Sequence, residues 1–152
     1  MARTYLVVID DSPEARVALR FAARRAAKTK GEVDIIAVVE PQDFVQWGGV
    51  QHAIEEEQRL RIEGIVAASV GEIMSAAGIT PEILVRAGDP VAAVRGHIGT
   101  REDIAALVLG AAPSGKPGPL VAHFTGNDAG KLPVPVMIIP GGLSEEQLEA
   151  LS

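Results

Sequence analysis

The sequence predicts an α/β fold, a doubly wound five-stranded parallel sheet with helices on both of its faces. Short apolar runs without polar alternation, such as 5–9 and 104–109, are typical of parallel strands that helices cover on both sides. Stretches with apolar residues at helical spacing separate these runs, and strands that alternate with helices form right-handed crossovers and a parallel sheet. At 152 residues, 47% of them hydrophobic, the chain fits one domain, 1–152.

Caps, glycines and prolines set the boundaries of the predicted elements. Ser12 can cap a helix that begins with Pro13, and Asp89 and Pro90 repeat this pattern. In chain order the predicted elements are strand 5–9, helix 13–28, strand 33–39, helix 55–77, strand 81–86, helix 90–98, strand 104–109, helix 120–131 and strand 134–139.

The last residues, 143–152, predict a short terminal helix. Ser144 and Gln147 have the spacing of a capping box, in which each side chain binds a backbone N–H at the helix start. Leu143 and Leu148 flank the box at the positions of a hydrophobic staple.

A longer connection, 41–52, joins the second strand to the second helix. It carries Phe44 and Trp47, and long loops with aromatic residues can close over a ligand or contact a partner subunit. A loop folded onto its own core is an equally good interpretation. Three consecutive acids, Glu55 to Glu57, favour a helix amino end and place the start of the second helix there.

Composition excludes several classes of partner and site. The net charge of −6 and the pI near 5.0 oppose nonspecific attraction to nucleic acid or to anionic lipid. The absence of cysteine removes disulfides, thiol nucleophiles and thiolate metal sites. No window reaches the roughly 20 apolar residues of a membrane span, so we expect a cytoplasmic protein that binds neither membrane nor nucleic acid.

One face of the first predicted helix is basic. Arg16, Arg20, Arg24 and Lys28 recur on it at four-residue intervals. Such a stripe can contact nucleic acid, but in an acidic protein a solvated helix face is the better interpretation.

Two acids, Asp10 and Asp11, follow the first apolar run directly. The sequence Val-Val-Ile-Asp-Asp resembles the acidic pair that holds a magnesium ion in phosphoacceptor receiver domains. A receiver also needs an aspartate at the end of its third strand and a lysine after its fifth, and neither is present here. Asp10, at the strand end, is the better candidate site residue, while Asp11 also fits a solvated residue before the helix.

A glycine-rich run follows the fourth strand. Residues 110–116, Gly-Ala-Ala-Pro-Ser-Gly-Lys, match the glycine and lysine spacing of a phosphate-binding loop, but Pro117 stands where that motif needs Ser or Thr. The match is therefore incomplete. The loop still offers backbone N–H groups and Lys116 to a phosphate.

No spacing indicates a catalytic triad or a metal centre. His52, His97 and His123 are far apart in the chain and are expected to be surface or packing residues. Ser12 is explained as a helix cap, and Ser114 lacks the setting of a nucleophile.

Several segments together resemble the universal stress protein family over nearly the whole chain. They are Val7–Asp10, Ser12 with its alanine-rich helix, Arg86–Pro90 with the helix to Ile98, Asp103–Gly110 and Leu132–Val136. The resemblance implies strand order 3-2-1-4-5 and a homodimer formed through the edge of the fifth strand. It also implies, for nucleotide-binding members, adenine and ribose near the first two strand ends and phosphates on a glycine-rich loop after the fourth strand.

Carried over by position, the resemblance implies Asp10 near the nucleoside, Val38 or Val39 near the base and Gly88 in a turn beside the site. In the family the phosphate motif is Gly, two residues, Gly, nine residues, and Gly followed by Ser or Thr, and this chain departs from it. Begun at Gly110, it has Pro113 at the second glycine. Begun at Gly115, it reaches Gly126-Asn127 two residues early and without the hydroxyl. The candidate nucleotide-contacting residues are Asp10, Asp11, Val38, Val39, Gly88, Gly110, Ser114, Gly115, Lys116, Gly118, Gly126 and Asn127.

The resemblance implies a stress-response module that binds ATP or AMP, with Mg²⁺ if the ligand is a triphosphate. The charge of Asp11, at a position where the family commonly has glycine, would repel a triphosphate without a cation. A dimer that binds no nucleotide is the alternative. A slow ATPase ranks lower, because no residue is identified as a base for the attacking water.

Overall fold

The computed structural model describes residues 3–10, 12–39 and 48–152, and of residues 39, 48–55, 58, 65 and 69 it describes the backbone alone. The elements are β1 (Thr4–Ile9), α1 (Pro13–Thr29), β2 (Glu32–Val39), α2 (Gly48–Ala77), β3 (Glu82–Ala87), α3 (Pro90–Thr100), β4 (Ile104–Ala111), α4 (Pro119–Thr125), β5 (Val136–Pro140) and α5 (Glu145–Leu151). A 3₁₀ turn, Ala129–Lys131, follows α4. Among the described helices, none has the length and apolar character to cross a membrane.

The five strands form one sheet of order β3-β2-β1-β4-β5, which confirms the predicted topology. All four strand pairs are parallel, and β1 lies at the centre, where Val7 pairs with Ile35 on one side and Val108 on the other. The carboxyl ends of β1 and β4 are therefore neighbours.

Helices cover both faces of the sheet, as predicted. Because side chains alternate along a strand, Tyr5 and Val7 point into a core shared with α1, α2 and α5, while Leu6 points into a core shared with α3 and α4. Both cores are built mainly from Val, Ile, Leu and Ala. This explains why the strands have apolar residues on both faces.

The predicted start of the second helix is wrong, because α2 begins at Gly48 and not at the three acids from Glu55. Between Gly48 and Gly78 there is no proline, and the internal glycines Gly64 and Gly71 are tolerated at a cost of about 1 kcal/mol each. The rest of the loop, 41–47, lies outside the described residues.

The fourth helix is shorter than predicted. It ends at Thr125 instead of Lys131, because Gly126, Asn127 and Asp128 favour turns over helix and Asp128 is held from outside. Arg95 Nη2 on α3 lies 2.7 Å from the Asp128 carboxylate.

The fourth strand begins at Ile104 as predicted but is two residues longer, and the fifth strand is shifted towards the carboxyl end. β4 continues through Gly110 and Ala111, which pair with Ile139 and Pro140 of β5. β5 begins at Val136 rather than Val134. Gly110 is therefore part of a strand and does not begin the following loop.

Candidate functional site

A small cleft opens between the exits of β1 and β4. Asp10 and Ser12 line one side, and Gly110 and Gly118 line the other. The cleft has a volume of about 60 Å³. The structure thus brings together residues from two strands that are about 100 positions apart in the chain. Crevices of this kind, at the carboxyl edge of a doubly wound sheet, are where such folds bind ligands.

Asp10 organises the start of α1. Its Oδ1 accepts hydrogen bonds from the Ser12 N–H, at 2.8 Å, and from the Ser12 hydroxyl. Ser12 Oγ in turn accepts from the Ala15 N–H at 3.3 Å, so Ser12 is the helix cap as predicted. Asp10 is exposed, and among the described residues its other oxygen has no hydrogen-bond partner. That oxygen can accept a hydrogen bond from a hydroxyl group of a ligand.

Gly110 provides space rather than a ligand contact. A Cβ atom at this position would overlap the backbone carbonyl of Glu14, in the first turn of α1. Gly141 serves the same helix, because its Cβ would lie 2.7 Å from the Glu14 Cβ atom. The two glycines let the start of α1 rest against β4 and the segment after β5, and this close approach narrows the cleft.

The loop 112–118 borders the cleft through Pro117 and Gly118, whereas the predicted site residues Ser114, Gly115 and Lys116 do not line it. Ser114, Gly115 and Lys116 are exposed, and among the described residues Lys116 forms no ion pair. Gly115 and Gly118 have φ angles of 74° and 122°, which favour glycine. One backbone hydrogen bond, from the Ala112 N–H to the Pro117 carbonyl at 3.2 Å, closes the loop. Its free N–H groups and Lys116 can bind an anion.

Several candidates from the sequence lie elsewhere. Gly88 has a φ of 114° and follows β3, two strands and about 10 Å from β1. Val38 packs in the core with α3 and α4. Gly126 and Asn127 stand at the far end of α4, about 10 Å from Gly118, since the helix has seven residues. None of these four lines the cleft. Asp11 and the side chain of Val39 fall outside the described part of the chain.

The sequence analysis missed the apolar lining of the cleft. Val8, Leu109, Leu120 and Val121 form much of its wall. A signal for two of them was present, because Pro119 directly after Gly118 fits the first position of a helix, so that α4 returns at once over the strand ends.

The described residues do not supply a metal centre by themselves. No group of three or more metal-binding side chains comes together in the described part of the chain. Mg²⁺ is usually held by one or two carboxylates together with phosphate oxygens. In this cleft Asp10 could supply one carboxylate, and the remaining ligands would have to come from a nucleotide and water.

A second polar cluster lies at the opposite, amino edge of the sheet. The buried Asp34 carboxylate is 2.8 Å from both His97 Nε2 and Arg101 Nη1. His97 was expected to be a surface or packing residue, and its side chain is in fact largely buried and hydrogen-bonded. Arg101 also contacts Glu82 and Asp103. All three carboxylates thus contact the one guanidinium group, which indicates a structural cluster.

The comparisons with known proteins point in one direction. A family model described as "Universal stress protein family" matches residues 1–140. The chain is similar in structure to universal stress protein UspA from Lactobacillus plantarum, with a TM-score of 0.71 at 14% identity, over 90% of this chain and 97% of that one. None of the curated proteins matches the chain significantly.

Two further similar structures contain nucleotides according to their descriptions. One is a universal stress protein in complex with cAMP, with a TM-score of 0.62 at 21% identity, over 92% of this chain and 98% of that one. The other is the universal stress protein from Archaeoglobus fulgidus in complex with dAMP, with a TM-score of 0.58 at 17% identity, over 91% and 98%. At these identities the likeness shows the fold.

Proposed function

Because the chain belongs to the universal stress protein family, we propose that it is a stress-response module that binds an adenine nucleotide at the carboxyl ends of β1 and β4. The observation that carries this proposal is the cleft itself. Asp10 lines the cleft at the end of β1, and Gly110 with Pro117 and Gly118 of the loop 112–118 line it at and after the end of the adjacent β4. Asp10 would accept a hydrogen bond from the ribose, and the loop with Lys116 would receive the phosphate.

The volume of the cleft requires that the loop move on binding. Small-molecule sites measure roughly 300–1,000 Å³, whereas the cleft measures about 60 Å³. Residues 113–117 are all exposed, so lifting the loop would break few apolar contacts. The free energy spent on opening subtracts from the affinity, which supports weak binding.

The charge of the cleft favours a monophosphate. Asp10 and the acidic chain repel a triphosphate more strongly than AMP or cAMP. The two related complexes hold cAMP and dAMP, which are both monophosphates. ATP would bind only with Mg²⁺ to offset the repulsion.

Calorimetry with AMP, cAMP and ATP, with and without Mg²⁺, tests this function. We expect weak binding of AMP and cAMP, and binding of ATP only with Mg²⁺. Asp10→Ala should weaken AMP binding about tenfold, the value of one hydrogen bond to a charged group. Asp10→Asn keeps an oxygen that can accept hydrogen bonds from Ser12 but removes the negative charge. It should therefore reduce the difference in binding affinity between AMP and ATP.

Lys116→Gln separates the phosphate contact from the nucleoside contact. It should weaken AMP binding and leave any adenosine binding unchanged, because adenosine has no phosphate. Equal affinity of wild type, Asp10→Ala and Lys116→Gln for AMP would place the site elsewhere. Phosphate release from ATP would favour the ATPase.

The small cleft also supports a second candidate, a dimeric module that binds no nucleotide. Among the described residues, β5 pairs with β4 alone, so its other edge could pair with a second copy of the chain. Light scattering on the purified chain tests the dimer. A monomeric mass up to high micromolar concentration would contradict it, and absence of heat with all three nucleotides would favour this candidate over the first.

A further inference from the structure

A groove much larger than the cleft runs between α1, α2 and α5. Its volume is about 690 Å³, within the range of small-molecule sites. It shares no lining residue with the cleft between β1 and β4. The proposed nucleotide site therefore does not account for it.

The α1 side of the groove is the basic stripe. Arg16, Arg20, Arg24 and Lys28 all line the groove, so the stripe, whose Arg16 and Lys28 are solvent-exposed as expected from the sequence, forms part of a concave surface. Since four residues rise about 6 Å along a helix, the stripe extends over about 18 Å.

The terminal helix α5 already binds one half of this stripe. Arg24 Nη2 lies 2.5 Å from Glu145, and Arg24 Nε lies 3.4 Å from Glu149. Lys28 Nζ lies 3.8 Å from Glu149 and donates to its carbonyl at 2.8 Å. Between these acids Leu148 is fully buried. The basic stripe thus binds the carboxylates of Glu145 and Glu149, which flank the aliphatic side chain of Leu148 in sequence.

The other half of the stripe is less occupied. Arg16 forms no ion pair with any described residue, and Arg20 reaches Glu145 only through Nε, at 3.5 Å. Their guanidinium groups retain donors in the planar arrangement that suits a carboxylate.

The opposite wall of the groove is built from small apolar side chains. Ala68, Ala76 and Ala77 of α2 face Ala23 and Ala27 of α1, and Ile73 adds one larger apolar group. Because alanine side chains are short, they leave a space between the two helices that an aliphatic chain can fill.

The net charge of the residues that line the groove indicates which charge a ligand would carry. The four cations of α1 face three carboxylates, Glu72, Glu145 and Glu149, which leaves one positive charge. A monoanion neutralises that charge, whereas a phosphate dianion would leave the groove with a net charge of −1.

We propose that this groove binds an aliphatic monocarboxylate, with the carboxylate on Arg16 and Arg20 and the chain along the alanines of α1 and α2. The ligand would bind as α5 does, with a carboxylate on the basic stripe and an aliphatic group beside it.

Titration of the full chain with decanoate below its micellar concentration, followed by amide NMR, tests the proposal. We expect saturable shifts at Ala23, Ala27, Ala76 and Ala77 and none around Asp10. Decanol, which lacks the charge, and a decyl trimethylammonium salt, which reverses it, should bind at least tenfold more weakly. Equal binding of decanol or of the cation would overturn the proposal, as would shifts confined to other surfaces.

Two variants with a control locate the ligand. Arg16→Gln with Arg20→Gln should weaken decanoate binding at least tenfold, while Arg61→Gln, an exposed arginine of α2 outside the groove, should leave it unchanged. Ala76→Leu fills the groove without changing its charge and should also abolish saturable binding. Wild-type affinity in a folded Ala76→Leu variant would overturn the proposal, even if the double variant failed to fold.

Discussion

Arg101 Nη1 lies 2.8 Å from the carboxylate of Asp34, whose side chain is only 3% exposed. The same nitrogen lies 3.1 Å from Glu82, and the other guanidinium nitrogens donate to both oxygens of Asp103, at 2.9 and 2.6 Å. Asp103 also accepts a hydrogen bond from Thr4 Oγ1 at 2.7 Å. One guanidinium therefore joins the amino ends of β2, β3 and β4, and Asp103 adds β1.

Replacing Arg101 should destabilise the fold strongly. In Arg101→Gln the carboxylate of Asp34 stays buried and keeps His97 as its one side-chain partner among the described residues. Removing one member of a buried ion pair costs about 3 kcal/mol or more. Urea unfolding measures this loss. Arg61→Gln, on the exposed face of α2, should change the free energy of unfolding by no more than about 0.5 kcal/mol. Similar values for the two variants would show that the cluster contributes little.

Asp103 should give the stability a distinct pH dependence. Hydrogen bonds from Arg101 and Thr4 lower the pKa of Asp103 from 3.8 to about 2. A group with a lowered pKa in the folded state binds fewer protons there than in the unfolded state. Its stabilisation is therefore complete above about pH 4 and is lost as the pH falls towards 2.

Asp103→Asn tests this dependence. Compared with wild type, the variant should lose up to about 2 kcal/mol at pH 7, and the difference should shrink between pH 4 and pH 2. Urea midpoints measured at pH 7, 5, 4 and 3 give the difference. A difference that stays constant down to pH 3 would contradict the lowered pKa.

Most of the fold could be predicted because its signals are local. An apolar run such as Val33–Val39 identifies a buried strand by itself, and Ser12-Pro13 marks a helix start within two residues. The cluster around Arg101 could not be predicted, because Asp34 and its partner are 67 positions apart. A single carboxylate inside an apolar strand indicates a buried partner but does not identify it.

The candidate site could be predicted only in part. Asp10 and Gly110 come together because the ends of adjacent parallel strands always meet at one edge. Gly126 and Asn127 were assigned by spacing along a motif, and spacing does not predict that α4 ends at Thr125. The volume of the cleft depends on how closely α1 approaches Gly110, which a sequence does not specify.

Gly110→Ala should destabilise the protein, because the added methyl group would overlap the Glu14 carbonyl and push α1 off β4. Overpacking of this kind costs roughly 1–3 kcal/mol. Gly71→Ala is the matched control. A Cβ there meets nothing within 4 Å, and alanine in a helix interior gains about 0.5–1 kcal/mol over glycine. Thermal unfolding should therefore shift in opposite directions, and a neutral Gly110→Ala would contradict the close approach.

The attachment of α5 should depend on Leu148 and not on the ion pairs beside it. Leu148 is 1% exposed within the core of α1 and α2, and Leu→Ala at such a position costs about 2–5 kcal/mol. Glu145 is 61% exposed, and exposed ion pairs contribute about 1 kcal/mol or less. Leu148→Ala should therefore lower the free energy of urea unfolding and speed amide exchange in α5 far more than Glu145→Gln does. A larger effect of Glu145→Gln than of Leu148→Ala would mean that the ion pairs with the basic stripe hold α5 in place. Detachment of α5 would then depend on salt concentration.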